Sequence, residues 1–153
     1  MKNKLTYRQA LSKAKYICSG QEKCSGDIRN YFNKYSMSED NMEKVISILI
    51  KENYIDDKRY AEFYTEDKFR LNRWGRIKIR HGLRQKGISE EYIAKALNNI
   101  EEPEYFNSLK NLLIEKQRSL PKGSPQKTKG KLFRFAQGRG FETELIYKII
   151  DSI

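Results

Sequence analysis

Apolar positions return along the chain in three sets. They superimpose when the second is read 51 residues after the first and the third 53 residues after the second. Ile28, Ile79 and Leu132 then fall together, as do Phe32, Leu83 and Ala136. After a short turn come Met37, Ile88 and Phe141, then Met42, Ile93 and Ile146, then Val45, Ala96 and Ile149 beside Ile46, Leu97 and Ile150. Intervals of one, three and four residues place such side chains on one face of a helix, so each set predicts a helix, a turn and a helix. The turn position holds Ser36, Gly87 and Gly140, and glycine there fits a left-handed cap closing the first helix. Ser38 and Ser89 stand where the next helix needs an N-cap, with Glu39 and Glu90 following at its positive end.

A further helix precedes each pair: Tyr7 to Cys18, Asp57 to about Leu71, and one opened by Pro103 in its first turn and running to about Ser119. The fold class expected is therefore all-α, with three tandem three-helix repeats, 1–55, 56–101 and 102–153, forming an elongated, curved rod. Val45 to Ile50 is rich in β-branched residues and fits a strand when read alone; its place in the repeat makes it helical. The one conspicuous loop is Leu120 to Lys127, where Pro121, Gly123 and Pro125 interrupt any helix. A unit of about 50 residues has little core of its own, and stacking units in a row buries faces that each alone leaves wet.

The chemistry-bearing residues are sparse. Cys18 and Cys24 are not spaced as a CxxC pair and His81 is the only histidine, so a metal site or a histidine-based triad has almost nothing to build from. Both cysteines read as reduced and structural. Asp56 and Asp57 sit immediately before a helix, where capping and dipole complementarity explain paired acids better than metal binding or acid–base work. There is no Walker loop, dinucleotide fingerprint or nucleophile elbow, and the expectation is a protein with no cofactor, no metal and no catalysis of its own. An apolar run such as Ile48-Leu49-Ile50 is far too short to span a bilayer, and a cytoplasmic monomer is the default expectation.

Charge changes the picture more. The net charge is +11, which points to an anionic partner. Lys68, Arg70, Arg73, Arg76, Lys78, Arg80, Arg84 and Lys86 follow one another with no acid between them. Lys116, Arg118, Lys122, Lys127, Lys129, Lys131, Arg134 and Arg139 form a second such stretch. The remaining chain carries fifteen basic against twenty acidic residues, so all of the positive excess lies in these two stretches, at equivalent places in units two and three. Arg76, Arg80 and Arg84 recur every four residues and read as a stripe, extended by Arg73. From this pattern the partner or DNA surface is expected at Lys68, Arg70, Arg73, Trp74, Arg76, Lys78, Arg80, Arg84 and Lys86, with Lys127, Lys129, Lys131, Arg134 and Arg139. Trp74 and the tyrosines have ring faces on which unpaired bases stack, although each one alone reads better as core.

The order and spacing of several short motifs resemble the RecX family. They are Asp56-Asp57-Lys58-Arg59-Tyr60-Ala61, then Trp74-Gly75-Arg76, Ile79, Leu83 and Lys86-Gly87-Ile88-Ser89, and finally Arg139-Gly140-Phe141. The resemblance covers the whole three-unit layout. It departs at Cys18 to Ser25, where family members often carry a basic, serine-containing stretch, and at Gln137-Gly138, which is expected to loosen a helix end. The resemblance implies a regulatory protein that lodges in the groove of the RecA–DNA filament, inhibits its ATPase, strand exchange and co-protease activity, and so lowers the SOS response in DNA repair. The alternative reading is a stand-alone single-stranded nucleic-acid binder. On the first reading, substituting Arg76, Arg80 and Arg84 weakens inhibition and leaves the fold intact.

Overall fold

In a computed structural model that describes residues 1–153, the chain forms nine helices in three successive groups. The first holds α1 (Tyr7–Gly20), α2 (Ser25–Phe32) and α3 (Glu39–Lys51); the second α4 (Asp57–Arg70), α5 (Arg76–Gln85) and α6 (Glu90–Asn98); the third α7 (Glu102–Ser119), α8 (Pro125–Gly138) and α9 (Thr143–Ile150). Val45 to Ile50 is helical, within α3. The only strands are two-residue segments, β1 (Asn3–Lys4) and β2 (Tyr35–Ser36), paired in parallel.

Local chemistry fixes the helix ends. The side chains of Ser38, Asp56 and Ser89 each accept a bond from the backbone N–H three residues on, as does Thr6 within a full capping box with Gln9. Gly87 and Gly140 take positive φ of 77° and 92° after α5 and α8. The next residue then turns its N–H back into the helix: Ile88 to Leu83 O at 3.1 Å and Phe141 to Ala136 O at 3.3 Å. In the first unit Ser36 does not play this part; it lies in β2, held against Lys4. The segment Leu120 to Lys127 is shorter as a loop than its prolines suggest. Pro125 opens α8 at a first-turn position where no N–H is needed, and Ser124 caps it by accepting from Lys127 N at 3.2 Å. Gln137-Gly138 does not loosen α8, which runs through Gly138.

The three groups are joined unequally. The first has its own core of nine residues, built on Ile28, Phe32, Val45 and Leu49, whereas nineteen residues of the second and third form one shared core, into which Cys24 of the first inserts. At the second junction Tyr105, fully buried, stacks on Phe69 at 5.9 Å and meets Phe141 at 5.3 Å. Two backbone bonds cross it, Gly75 N to Arg139 O at 2.7 Å and Ile77 N to Gly140 O at 3.0 Å. A Cβ on Gly75 would lie 2.4 Å from the Gly140 oxygen, so the two backbones meet where only glycine fits.

The first junction is polar. Asp57 accepts from Ser25 N at 2.8 Å and Ser25 Oγ at 2.6 Å, so of the two acids only Asp56 caps α4 and Asp57 ties α4 to α2. Arg59 reaches Glu22 at 3.1 Å, and Lys86 Nζ reaches Asp27 at 2.7 Å. Burial pushes the Asp27 carboxyl up, but the Lys86 ammonium and the Cys24 N–H outweigh it and hold the group below its usual range. A carboxylate so lowered contributes stability above that range and loses it as the pH falls through it, so the junction is expected to open only in acid.

Cys24 is buried at this junction, and burial pushes its thiol up to about 11, whereas Cys18 is partly exposed. Opening is therefore readable at one atom. With Cys18→Ser in place, Lys86→Glu sets a carboxylate against Asp27 and is expected to speed alkylation of Cys24 by about tenfold, about 1.4 kcal/mol in the opening equilibrium. Arg73→Glu, at the other junction, is expected to leave that rate unchanged; equal acceleration by both variants would contradict two distinct junctions.

Candidate partner-binding surface

The structure divides the fourteen candidate side chains into those already engaged within the chain and those turned to solvent. On α5 the four-residue stripe does not form one open surface. The Arg76 side chain is only 20% exposed; it bonds Glu142 at 2.9 Å and Glu102 at 2.5 Å, and its guanidinium lies 3.8 Å from the centre of the Tyr105 ring. The Tyr105 hydroxyl accepts from Arg76 N at 3.0 Å and donates to Glu142, and burial together with that bond pushes it well above the usual phenol range. Arg73 holds Glu115 at 2.6 Å, Arg70 holds Glu104 at 2.8 Å, and Arg84 is paired with Glu90 at 2.5 Å. Lys86 is taken by Asp27. Arg139 donates to Asn72 O at 2.8 Å across the second junction. The reason is plain in the partners: each acid comes from outside the acid-free stretch, Glu66 and Glu90 from just beyond its ends and the others brought in by the fold.

Arg76 is accordingly a residue of the second junction. Arg76→Met removes charge-assisted bonds to two carboxylates and leaves Glu142 facing Tyr105, an expected cost of about 2 kcal/mol. Thermal melting checks this, and a variant that melts as the parent protein does would remove Arg76 from the junction.

What stays open lies in two places. Around Trp74, Lys68 Nζ stands 5.0 Å and Lys78 Nζ 4.6 Å from the ring centre, and Tyr64 meets its edge at 6.4 Å. Neither lysine has a carboxylate partner, although Lys78 Nζ also donates to Gly138 O at 3.4 Å across the second junction, and the rings supply part of their stabilisation. Arg80 is likewise without an ion pair. Along α8, Lys127, Lys131 and Arg134 are exposed and make no ion pair, while Lys129 approaches Asp151 at 3.6 Å. Intervals of four and three align the first three on one side of the helix, opposite the buried Leu132 and Ala136. A line of unneutralised cations on one flank suits phosphates or an acidic protein groove. No group of three or more side chains of the metal-binding kinds is close enough to hold an ion, and no helix is long and apolar enough to cross a membrane.

Sequence reasoning missed the side chains that decide which cations are free: Asp27, Glu102, Glu104, Glu115 and Glu142. They lie far along the chain from the arginines and lysines they neutralise, and nothing in their local spacing marks them.

The family model described as the second three-helix domain of RecX matches residues 56–97, and the one described as the third matches residues 103–150. Among named relatives, the regulatory protein RecX of Clostridium tetani is 33% identical over 147 residues, which cover 86% of this chain and 67% of that protein. The Chlorobaculum tepidum protein of the same name is 30% identical, with 94% of this chain and 88% of its own covered. The chain spans 60 to 70% of the length of several clostridial relatives. The crystal structure of RecX from Lactobacillus salivarius superimposes with a TM-score of 0.86 over 95% of both chains at 21% identity, a likeness of fold.

Proposed function

The chain belongs to the RecX family, and from that premise we propose that it lies along the groove of a RecA–DNA filament and restrains ATP hydrolysis, strand exchange and co-protease activity, without catalysis of its own. The observation that supports this reading best is the unneutralised line Lys127, Lys131 and Arg134 on one flank of a row of three helical units. Bonds and ion pairs join the first unit to the second and the second to the third, and none joins the first to the third, so the units follow one another as a strip rather than closing on a pocket. A strip with one cationic flank offers many weak interactions in series to a repeating partner, and their sum is large only when the repeat is present.

Co-sedimentation with preformed recombinase filaments, compared with the same single-stranded DNA alone, tests it. Retention on filaments at salt concentrations that release the protein from bare DNA is the expected result. Equal release from both would favour the second reading, a stand-alone single-stranded nucleic-acid binder, for which the open cations of α8 also speak.

A further inference from the structure

Positions 29, 80 and 133 are equivalent in the three units, as are 43, 94 and 147. In the first unit they hold Arg29 and Glu43, which form an ion pair, and in the second Arg80 and an exposed Ala94. In the third they hold Phe133 and Tyr147, with rings stacked at 4.7 Å and 19°. Tyr147 is 53% exposed. The repeat therefore has no structural need for aromatic side chains here, and a solvated charged pair serves the same place elsewhere.

The rings border a half-open cleft of about 380 Å³ with Lys129, Gly130, Arg134, Ile150 and Asp151 around it. Asp151 is the one acid in the cleft and faces Lys129 at 3.6 Å. Arg134 on its rim continues the open line of Lys127 and Lys131, and Lys148, exposed and unpaired, follows Tyr147 directly. At Gly130, a Cβ would meet the Arg134 guanidinium at 3.4 Å, so that group lies over this side of the cleft.

The geometry points to a stacking platform for single-stranded nucleic acid at the α8–α9 face, with Tyr147 and Phe133 receiving an unpaired base while Arg134 on the rim takes an adjoining phosphate and leads on to Lys127 and Lys131 round the next side of α8. A flat, half-exposed ring beside unneutralised cations matches a base attached to a charged backbone, and every base has a face to offer, so the platform takes any sequence. An apolar peptide anchor would leave the cations on the rim, Lys129 and Arg134, without a partner, whereas a nucleic-acid strand brings phosphates to them. The inference deepens the filament reading, on which it rests for the kind of anionic partner, by naming the contact made with unpaired bases.

The experiment uses the full chain without recombinase, so it stands apart from the test of filament binding. Fluorescence anisotropy with a labelled twenty-nucleotide oligo-dT reads affinity, and a strand carrying 2-aminopurine reads stacking by loss of emission. Tyr147→Ala is expected to weaken binding by about tenfold and to abolish the 2-aminopurine quench, with Tyr147→Phe retaining both. Tyr16→Ala, which removes an exposed ring on α1, is expected to change neither. Full affinity and quench in a folded Tyr147→Ala protein would overturn the platform. So would unchanged oligonucleotide binding with weakened filament binding, which would make the aromatic pair a protein contact.

Discussion

Gly140→Ala is expected to be among the most destabilising single methyl additions in this protein, costing about 3 to 5 kcal/mol and lowering the melting temperature by about 10 °C. The residue stands at φ 92°, which a side chain makes unfavourable by about 1 to 2 kcal/mol. Its new Cβ would also fall 2.3 Å from Lys78 Cβ and 2.6 Å from Lys78 N, atoms fixed within α5 that cannot swing aside. Relief of that overlap requires the two units to part, which costs about 1 to 3 kcal/mol and endangers the Ile77 N to Gly140 O bond. Gly87→Ala provides the comparison. It has φ 77° at the same place in the second unit, but no atom lies within 4 Å of its Cβ position, so only the conformational cost of about 1 kcal/mol is expected. Thermal melting followed by circular dichroism separates the two; similar losses would mean that the close approach of α5 to the third unit carries no special weight.

The largest expected effect on function belongs to α8. The triple variant Lys127→Glu, Lys131→Glu and Arg134→Glu is expected to weaken inhibition of the recombinase by about a hundredfold, at about 1 kcal/mol for each cation removed from the interface. These side chains are exposed and carry no internal ion pair, so stability is expected to change by less than about 0.5 kcal/mol for each. The salt dependence of the residual activity is expected to flatten as well, because fewer counterions are released on binding. Unaltered inhibition with an unaltered melting curve would remove α8 from the interface. Reversing the charges of the α5 stripe is a poor test, because Arg76 holds Glu102 and Glu142 and its loss disturbs the second junction.

Much of the fold was legible because helix period and repeat are local signals. Ile79 and Leu83 sit one turn apart, Gly87 follows at the helix end and Ser89 caps the next helix, all within a few residues of one another. The prolines of the third connector misled because Pro125 ends a loop by starting a helix, and a sequence alone does not say on which side of a helix boundary a proline falls. The paired acids Asp56 and Asp57 were legible by half: the cap is local, whereas the bond of Asp57 to Ser25 depends on how two units meet. The candidate surface was harder for the same reason. Acid-free stretches are visible in one dimension, but Glu102, Glu115, Glu142 and Asp27 reach their partners only after folding. The stacked pair Phe133 and Tyr147 lay within reach of the repeat, whose solvent positions fall in register as its core positions do.

The filament reading is tested most directly by the single-stranded-DNA-dependent ATPase of the RecA from the same cell, with this protein titrated in and DNA held in excess. Inhibition is expected well below one copy per recombinase monomer, weakened by about a hundredfold in the triple α8 variant. Inhibition that arises only as the DNA becomes saturated, or none at any ratio, would contradict it.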